Sequence, residues 1–193
     1  MELPALLELI DRAAEEQWEV LDLDRKNISE IPVEIGKLTK LTSLKLFGNK
    51  ITEISDAICE LTNLTSLDLS HNQITEISAS IGKLKNLTHL SLSGNQIVEI
   101  PAAIGELKNL TYLCLSDNNI TEIPIEIGEL KNLTYLVLAD NKITVIPQWL
   151  QSSKNLKTLT VTGGHNGVDL KMDRSGCSFV IILPPEEENM WLR

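Results

Sequence analysis

Apolar residues in this chain recur with two superimposed spacings, a short alternation and a long fixed period. Residues 61–83, LTNLTSLDLSHNQITEISASIGK, nearly superimpose on residues 84–106, LKNLTHLSLSGNQIVEIPAAIGE, and Asn49, Asn72, Asn95, Asn118 and Asn141 follow one another at 23 residues. A unit of that length cannot bury its own apolar face, so neighbours must stack into a continuous core. The alternation in Leu67-Asp68-Leu69 places both leucines on one face of a short strand. Its equivalents Leu44/Leu46, Leu90/Leu92, Leu113/Leu115, Leu136/Leu138 and Leu159/Val161, with Leu21 to Leu23 ahead of them, predict seven parallel strands in one sheet. Parallel strands need crossovers. Here the crossover runs from each asparagine to the next leucine, with its Ile-x-x-Ile and Ile-Gly-x-Leu residues pointing inward. Pro32, Pro101, Pro124 and Pro147 fix the backbone angle on the outer wall, where extended or short 3-10 segments are expected. Ser55 and Ser78 hold the same position in two further units. On that spacing, Ser→Pro at either is expected to stabilise by about 0.4–1 kcal/mol by restricting the unfolded chain.

The stretch L-x-x-L-x-L-x-x-N-x-I resembles the leucine-rich repeat family. The tail I-P-x-x-I-G-x-L resembles its 23-residue bacterial and Ras-suppressor-like type, also found in the repeat half of Roco-type GTPases. The resemblance implies an α/β architecture: a right-handed leucine-rich-repeat solenoid with about seven short parallel strands on the concave face, a convex side mostly of loops and 3-10 turns, and an N-terminal capping helix. One domain over 1–193 is expected, with residues 1–18 as cap helix, 19–162 as repeats and 163–193 as C-terminal cap and tail.

The ends must cover the stack. Residues 3–18 read as an amphipathic helix with Pro4 near its start and Leu3, Leu6, Leu7, Ile10, Ala13, Ala14 and Trp18 on one stripe. Its polar face carries Glu8, Asp11, Glu15 and Glu16 against Arg12, the opposite of the basic face of a membrane-surface helix. The first unit is atypical, with Lys26 in the asparagine column and Asn27 after it. At the other end Gly164 replaces the asparagine and the pattern dissolves. Residues 179–183 are expected as a closing strand halted by Pro184-Pro185, and Glu186 to Glu188 as solvated chain. Residues 163–167, GGHNG, lack the lysine and helix of a phosphate loop and read as a turn.

The asparagine column suits a turn buried in the stack, because an amide donates and accepts at once. Asn63, Asn86, Asn109, Asn132 and Asn155 form a second such ladder, joined by Thr65, Thr88, Thr111 and Thr134. Glycosylation patterns such as Asn63-Leu64-Thr65 and Asn86-Leu87-Thr88 arise from this repeat rather than from an acceptor role. Cys59, Cys114 and Cys177 are odd in number and imply no disulfide framework. The acidic N-terminus does not resemble a secretory leader and no apolar run reaches membrane-span length, so a cytoplasmic protein is expected.

With no other positions free to vary, function is sought on side chains flanking the strand leucines on the concave face. Most are small. His89, Tyr112 and Tyr135 share one column in consecutive units, with Cys114 and Val137 beside them and Phe47 and Asp68 in earlier units. Such a row is a candidate partner-binding site, since tyrosine offers large contact area at low entropic cost. Asp117 and Asp140 share another column, where a metal would need more oxygen ligands than their neighbours Gly94 and Gly163 supply, so solvated or turn-capping aspartates are expected. A Cys114 and His89 pair would stand about 7 Å apart with no orienting group, so no catalysis, metal or cofactor is expected. The formal charge of −10 disfavours nucleic acid. Glu30, Glu53, Glu76, Glu99 and Glu122 form an acidic stripe, with Lys85, Lys108, Lys131 and Lys154 further round the unit. The simpler reading of that stripe is solvated repeat surface, and recruitment of a basic partner is its alternative. The expected function is that of a monomeric protein-interaction adaptor whose unidentified protein partner binds the concave sheet face. The alternative, carried by resemblance, is a regulatory repeat segment or companion of a small-GTPase or Roco-type signalling protein.

Overall fold

A computed structural model describes residues 1–151 and 155–161 of the 193. Helix α1 (Leu3–Glu15) leads into seven three-residue strands: β1 (Val20–Asp22), β2 (Ser43–Lys45), β3 (Ser66–Asp68), β4 (His89–Ser91), β5 (Tyr112–Cys114), β6 (Tyr135–Val137) and β7 (Thr158–Thr160). They form one parallel sheet in sequence order. Leu21, Leu44, Leu67, Leu90, Leu113, Leu136 and Leu159 stand opposite one another, so the pairing partner is always 23 residues away. Each strand begins one residue earlier than the leucine pairs alone indicate. The second leucine still bonds across, as when Leu46 N–H donates to Asp68 O at 2.8 Å.

The crossovers are short, as the prolines require. Pro32, Pro101 and Pro124 adopt φ −68°, −69° and −69° and precede 3-10 turns Val33–Lys37, Ala102–Glu106 and Ile125–Glu129. Ser78 precedes a fourth, Ala79–Lys83, while Ser55 and Pro147 precede single α-helical turns, α2 (Asp56–Cys59) and α3 (Gln148–Gln151). The serines already hold near-proline φ values, −56° at Ser55 and −57° at Ser78. Their hydroxyls also do something proline cannot: Ser55 Oγ accepts Ala57 N–H at 3.3 Å and Ser78 Oγ accepts Ser80 N–H at 3.2 Å. Losing such a cap costs about 1 kcal/mol, which offsets the 0.4–1 kcal/mol expected from proline at a compatible φ. Ser55→Pro and Ser78→Pro are therefore expected to leave the denaturation midpoint nearly unchanged. A gain as large as the entropic value alone would show that the hydroxyl bonds contribute nothing.

One hydrophobic core runs without a break from Leu6 in α1 to Val161. Helix α1 closes its start through Leu6, Ile10 and Ala13, at most 2% exposed, the two large side chains each contributing about 1.5–3 kcal/mol by burial. Leu3 of the sequence stripe is 54% exposed and Leu9 packs in instead, because the helix begins at Leu3 and its first turn overhangs the stack. Trp18 lies beyond the helix, its ring 5.1 Å beneath the Arg12 guanidinium. Thr162, the GGHNG segment, Lys154, Cys177, residues 179–183, Pro184, Pro185 and Glu186 to Glu188 lie outside the described residues.

The asparagine ladder is the polar counterpart of the core. Asn95 is 8% exposed, yet its Nδ2 donates to Leu69 O, Leu92 O and Ser93 O, and its Oδ1 accepts Ile74 N–H at 3.0 Å. Asn49, Asn72, Asn118 and Asn141 repeat this arrangement, each bonding the preceding coil. In each case the side chain reaches back along the chain, to the coil before its own. Asn63, Asn86, Asn109, Asn132 and Asn155 donate to carbonyls 24 residues back, and Thr65, Thr88, Thr111 and Thr134 do so 23 back.

Candidate functional site

Alternation within each strand leaves two columns on the open face of the sheet, and the turn after it adds a third. The first contains His89, Tyr112 and Tyr135, paired through the register of β4, β5 and β6. Their rings follow one another with centroids 6.0 Å and 6.3 Å apart, the first pair nearly parallel at 23° and the second tilted at 44°. The separations exceed the strand spacing of about 4.8 Å because the rings lean as they stack. Tyr135 is 44% exposed, Tyr112 is half-buried and His89 is exposed. Thr88 Oγ1 and His89 Nδ1 lie 2.9 Å apart, which orients the imidazole.

The second column runs Asp22, Lys45, Asp68, Ser91, Cys114 and Val137. Cys114, expected to face solvent, is only 7% exposed: it stands opposite Val137 in the next strand, the Tyr112 side chain lies against it, and its Sγ lies 3.4 Å from Ser116 Oγ. It belongs to the floor of the site rather than to its reactive surface. Val137 and Asp68 stay partly accessible, and Asp68 Oδ1 accepts Ser70 N–H at 2.9 Å. Burial, then the neighbouring Cys114 thiol and Asp68, push the Tyr112 phenol up to about 12. Because Tyr112 and Tyr135 are the only tyrosines, a Tyr135→Phe variant isolates it. Its phenolate absorbance is expected to appear near pH 12, and appearance near the ordinary 10 would mean that the ring is more open than described. A folded value above the unfolded one stabilises fully below about pH 10 and is lost as pH rises towards 12.

The third column comes just before the ladder asparagines, and its backbone is left-handed. Arg25, Gly48, His71, Gly94, Asp117 and Asp140 all have φ between 54° and 68°. Aspartate, histidine and glycine tolerate that region better than most residues, so Asp117 and Asp140 are accounted for by the turn itself. Alternating Gly48 and Gly94 in one column was the available sequence signal for this conformation. Beside it lies a contact that sequence reasoning missed. Phe47 meets His71 edge-on at 5.1 Å and carries the Arg25 guanidinium 5.1 Å from its centroid, and those two side chains project over Gly48 and Gly94. Phe47 thus belongs to a separate cluster in the first three coils, apart from the tyrosine row.

Among the described residues no three His, Cys, Asp or Glu side chains are grouped to hold a metal ion. Burial drives the Cys59 thiol up to about 11, a poor nucleophile at neutral pH. On the outer wall Lys85 pairs with Glu106 and Lys108 with Glu129, both at 2.7 Å and both exposed. Lys131 instead donates to Gly128 O, and Lys154 lies outside the described residues. Shallow grooves of about 320 and 260 Å³ lie between coils near Glu76, Glu99 and Glu122, partly lined by Val98. No described helix is long and apolar enough to cross a membrane.

A sequence profile described as a leucine-rich repeat region matches residues 17–92 and 76–170. Among solved structures, a leucine-rich repeat protein of Leptospira interrogans is 35% identical over 85% of this chain and 38% of its own, with a TM-score of 0.68. The internalin inlF of Listeria monocytogenes shares the fold at a TM-score of 0.72 and 24% identity, over 82% of this chain and 49% of its own. The plant peptide hormone receptor RGFR1, solved in complex with RGF2, is 36% identical over 69% of this chain and 23% of its own, with a TM-score of 0.62. The chain thus spans less than half the length of each of these proteins. No curated protein matches it.

Proposed function

Because the chain belongs to the leucine-rich repeat family, whose members generally serve as protein-interaction modules, we propose that it binds a protein partner through the open face of its sheet, as an adaptor without chemistry of its own. The observation that carries this reading is the row His89, Tyr112 and Tyr135, held in register across three strands. The row adjoins Val137, with Asp68 to one side and Asp117 and Asp140 at the turn edge. The chain has only 7 aromatic side chains among Phe 2, Trp 3 and Tyr 2, and both tyrosines stand together on this face. Phe47 offers a second contact in earlier coils. The complex of RGFR1 with RGF2 shows such a receptor engaging a partner. We read the whole chain as one domain acting in the cytoplasm as a monomer. The constant 23-residue coil supports assignment to the bacterial and Ras-suppressor-like type. On that resemblance, a regulatory repeat segment or companion of a small-GTPase system is the second reading.

The test is binding by a partner recovered through pull-down. Tyr112→Ala with Tyr135→Ala is expected to cost more than about 2 kcal/mol of affinity, since anchoring aromatics dominate interfaces. Thermal melts should change little, because neither ring belongs to the core cluster. Glu76→Gln with Glu99→Gln on the outer stripe should alter chiefly association rate and its salt dependence. A partner that binds the tyrosine double variant as tightly as wild type would exclude the row as the anchor.

A further inference from the structure

The open face is acidic as well as aromatic. Its carboxylates are Asp22, Asp24, Asp68, Asp117 and Asp140, against the cations Lys45 and Arg25. Both cations are engaged: Lys45 Nζ lies 3.4 Å from Asp22 Oδ2, and Arg25 stacks on Phe47. Among the described residues, neither Asp68 nor Asp117 forms an ion pair. Asp68 lies near enough to raise the Tyr112 phenol, so its negative field reaches the aromatic row. Between the tyrosine row and the left-handed turn edge the middle column narrows to Ser91, Cys114 and Val137, with no long side chain standing in the way.

Resting on the reading of this face as the binding surface, we propose that its occupant is an extended basic peptide. It runs along the stack over the middle column, laying arginine or lysine side chains on Tyr112 and Tyr135 and presenting others to Asp68 and Asp117. From β3 to β6 the track crosses three strand gaps, about 14 Å, which takes about five residues of extended chain. Successive side chains of an extended peptide point to opposite sides. One set therefore meets the aromatic margin and the other the turn margin at Asp117, while Asp68 closes the β3 end of the middle column. Cations are attracted to aromatic faces when these are partly desolvated, as Tyr112 is, and a planar guanidinium stacks on them. An acidic peptide would meet the same carboxylates and the net −10 of the chain as repulsion. The strands already bond to one another throughout this track, so affinity must come from side chains rather than strand addition.

A phage-displayed library of random heptapeptides, selected on the immobilised full chain, tests this. An enriched peptide is then made with a fluorescein label and its anisotropy titrated at low and high salt. The expected result is enrichment of Arg and Lys at alternate positions, and binding weakened on the order of tenfold by Asp68→Asn with Asp117→Asn, with a flatter salt response. Both asparagines preserve local shape, Asp68 keeping an acceptor for Ser70 N–H and Asp117 a residue tolerant of positive φ. Tyr112→Ala with Tyr135→Ala should weaken the same peptide by a similar factor. Enrichment of neutral peptides that still need the tyrosines would overturn the basic occupant while leaving the binding face intact. Basic peptides indifferent to the tyrosines but lost on Glu76→Gln with Glu99→Gln would overturn both readings. No enrichment at all would overturn the peptide as the class of partner.

Discussion

Asn95→Leu is expected to destabilise the fold by about 4 kcal/mol, although leucine has the same branched heavy-atom outline and the site lies in an apolar stack. The substitution strands Ile74 N–H, whose acceptor is Asn95 Oδ1 at 3.0 Å, and removes the donor shared by Leu69 O, Leu92 O and Ser93 O. Each buried polar group left without a partner costs about 1–3 kcal/mol, and leucine can replace none of these bonds. Asn95→Asp should fall between the two: its carboxylate still accepts Ile74 N–H but faces three carbonyl oxygens with no proton to offer. Urea denaturation of the three proteins checks the order. A midpoint for Asn95→Leu within experimental error of wild type would show that the amide is replaceable and that the column serves something other than the stack.

Gly105 gives the second large effect, expected from Gly105→Val at about 3 kcal/mol. A Cβ there would lie 2.9 Å from both Glu126 Cβ and Glu126 O, in the turn of the following coil. Neither neighbour is a flexible side-chain end, so the coils would have to separate. Overpacking of that kind costs about 1–3 kcal/mol, and valine adds two further methyl groups to the clash. Gly36 provides the comparison. In the equivalent place of an earlier coil, its nearest atom is Ala57 O at 3.7 Å, an ordinary contact, so Gly36→Ala should change stability by less than about 1 kcal/mol. Equal effects at Gly36 and Gly105 in thermal melts would contradict this difference in coil spacing.

The repeat period made the sheet legible because each strand leucine must meet its equivalent in the next coil for both to be buried. The short crossovers were legible too, through the prolines. What escaped were matters of orientation that a one-dimensional period does not encode. Cys114 reads as an exposed alternate position, yet it is 7% exposed, with Tyr112 of its own strand and Val137 of the next coil beside it. Leu3 reads as part of the helix stripe, but the stripe overhangs the stack at its first turn. Phe47 looks isolated in the sequence because its partners, Arg25 and His71, come from the coils on either side. The tyrosine row, by contrast, followed directly from the spacing of His89, Tyr112 and Tyr135.

The uniform offset in the strand register has an evolutionary consequence. Each strand pairing, and one bond of every ladder asparagine and of each threonine in the column, refers to a residue one coil away, so these contacts do not record which coil they are in. Unequal crossing-over that deletes or duplicates one interior coil rejoins strands and ladders in the same register, with local spacing, as at Gly36 and Gly105, left to adjust. The chain can change length in whole coils without passing through an unfolded intermediate. Columns such as the one occupied by His89, Tyr112 and Tyr135 then act as movable letters: recombination can lengthen, shorten or shift the aromatic row while the architecture that displays it stays the same.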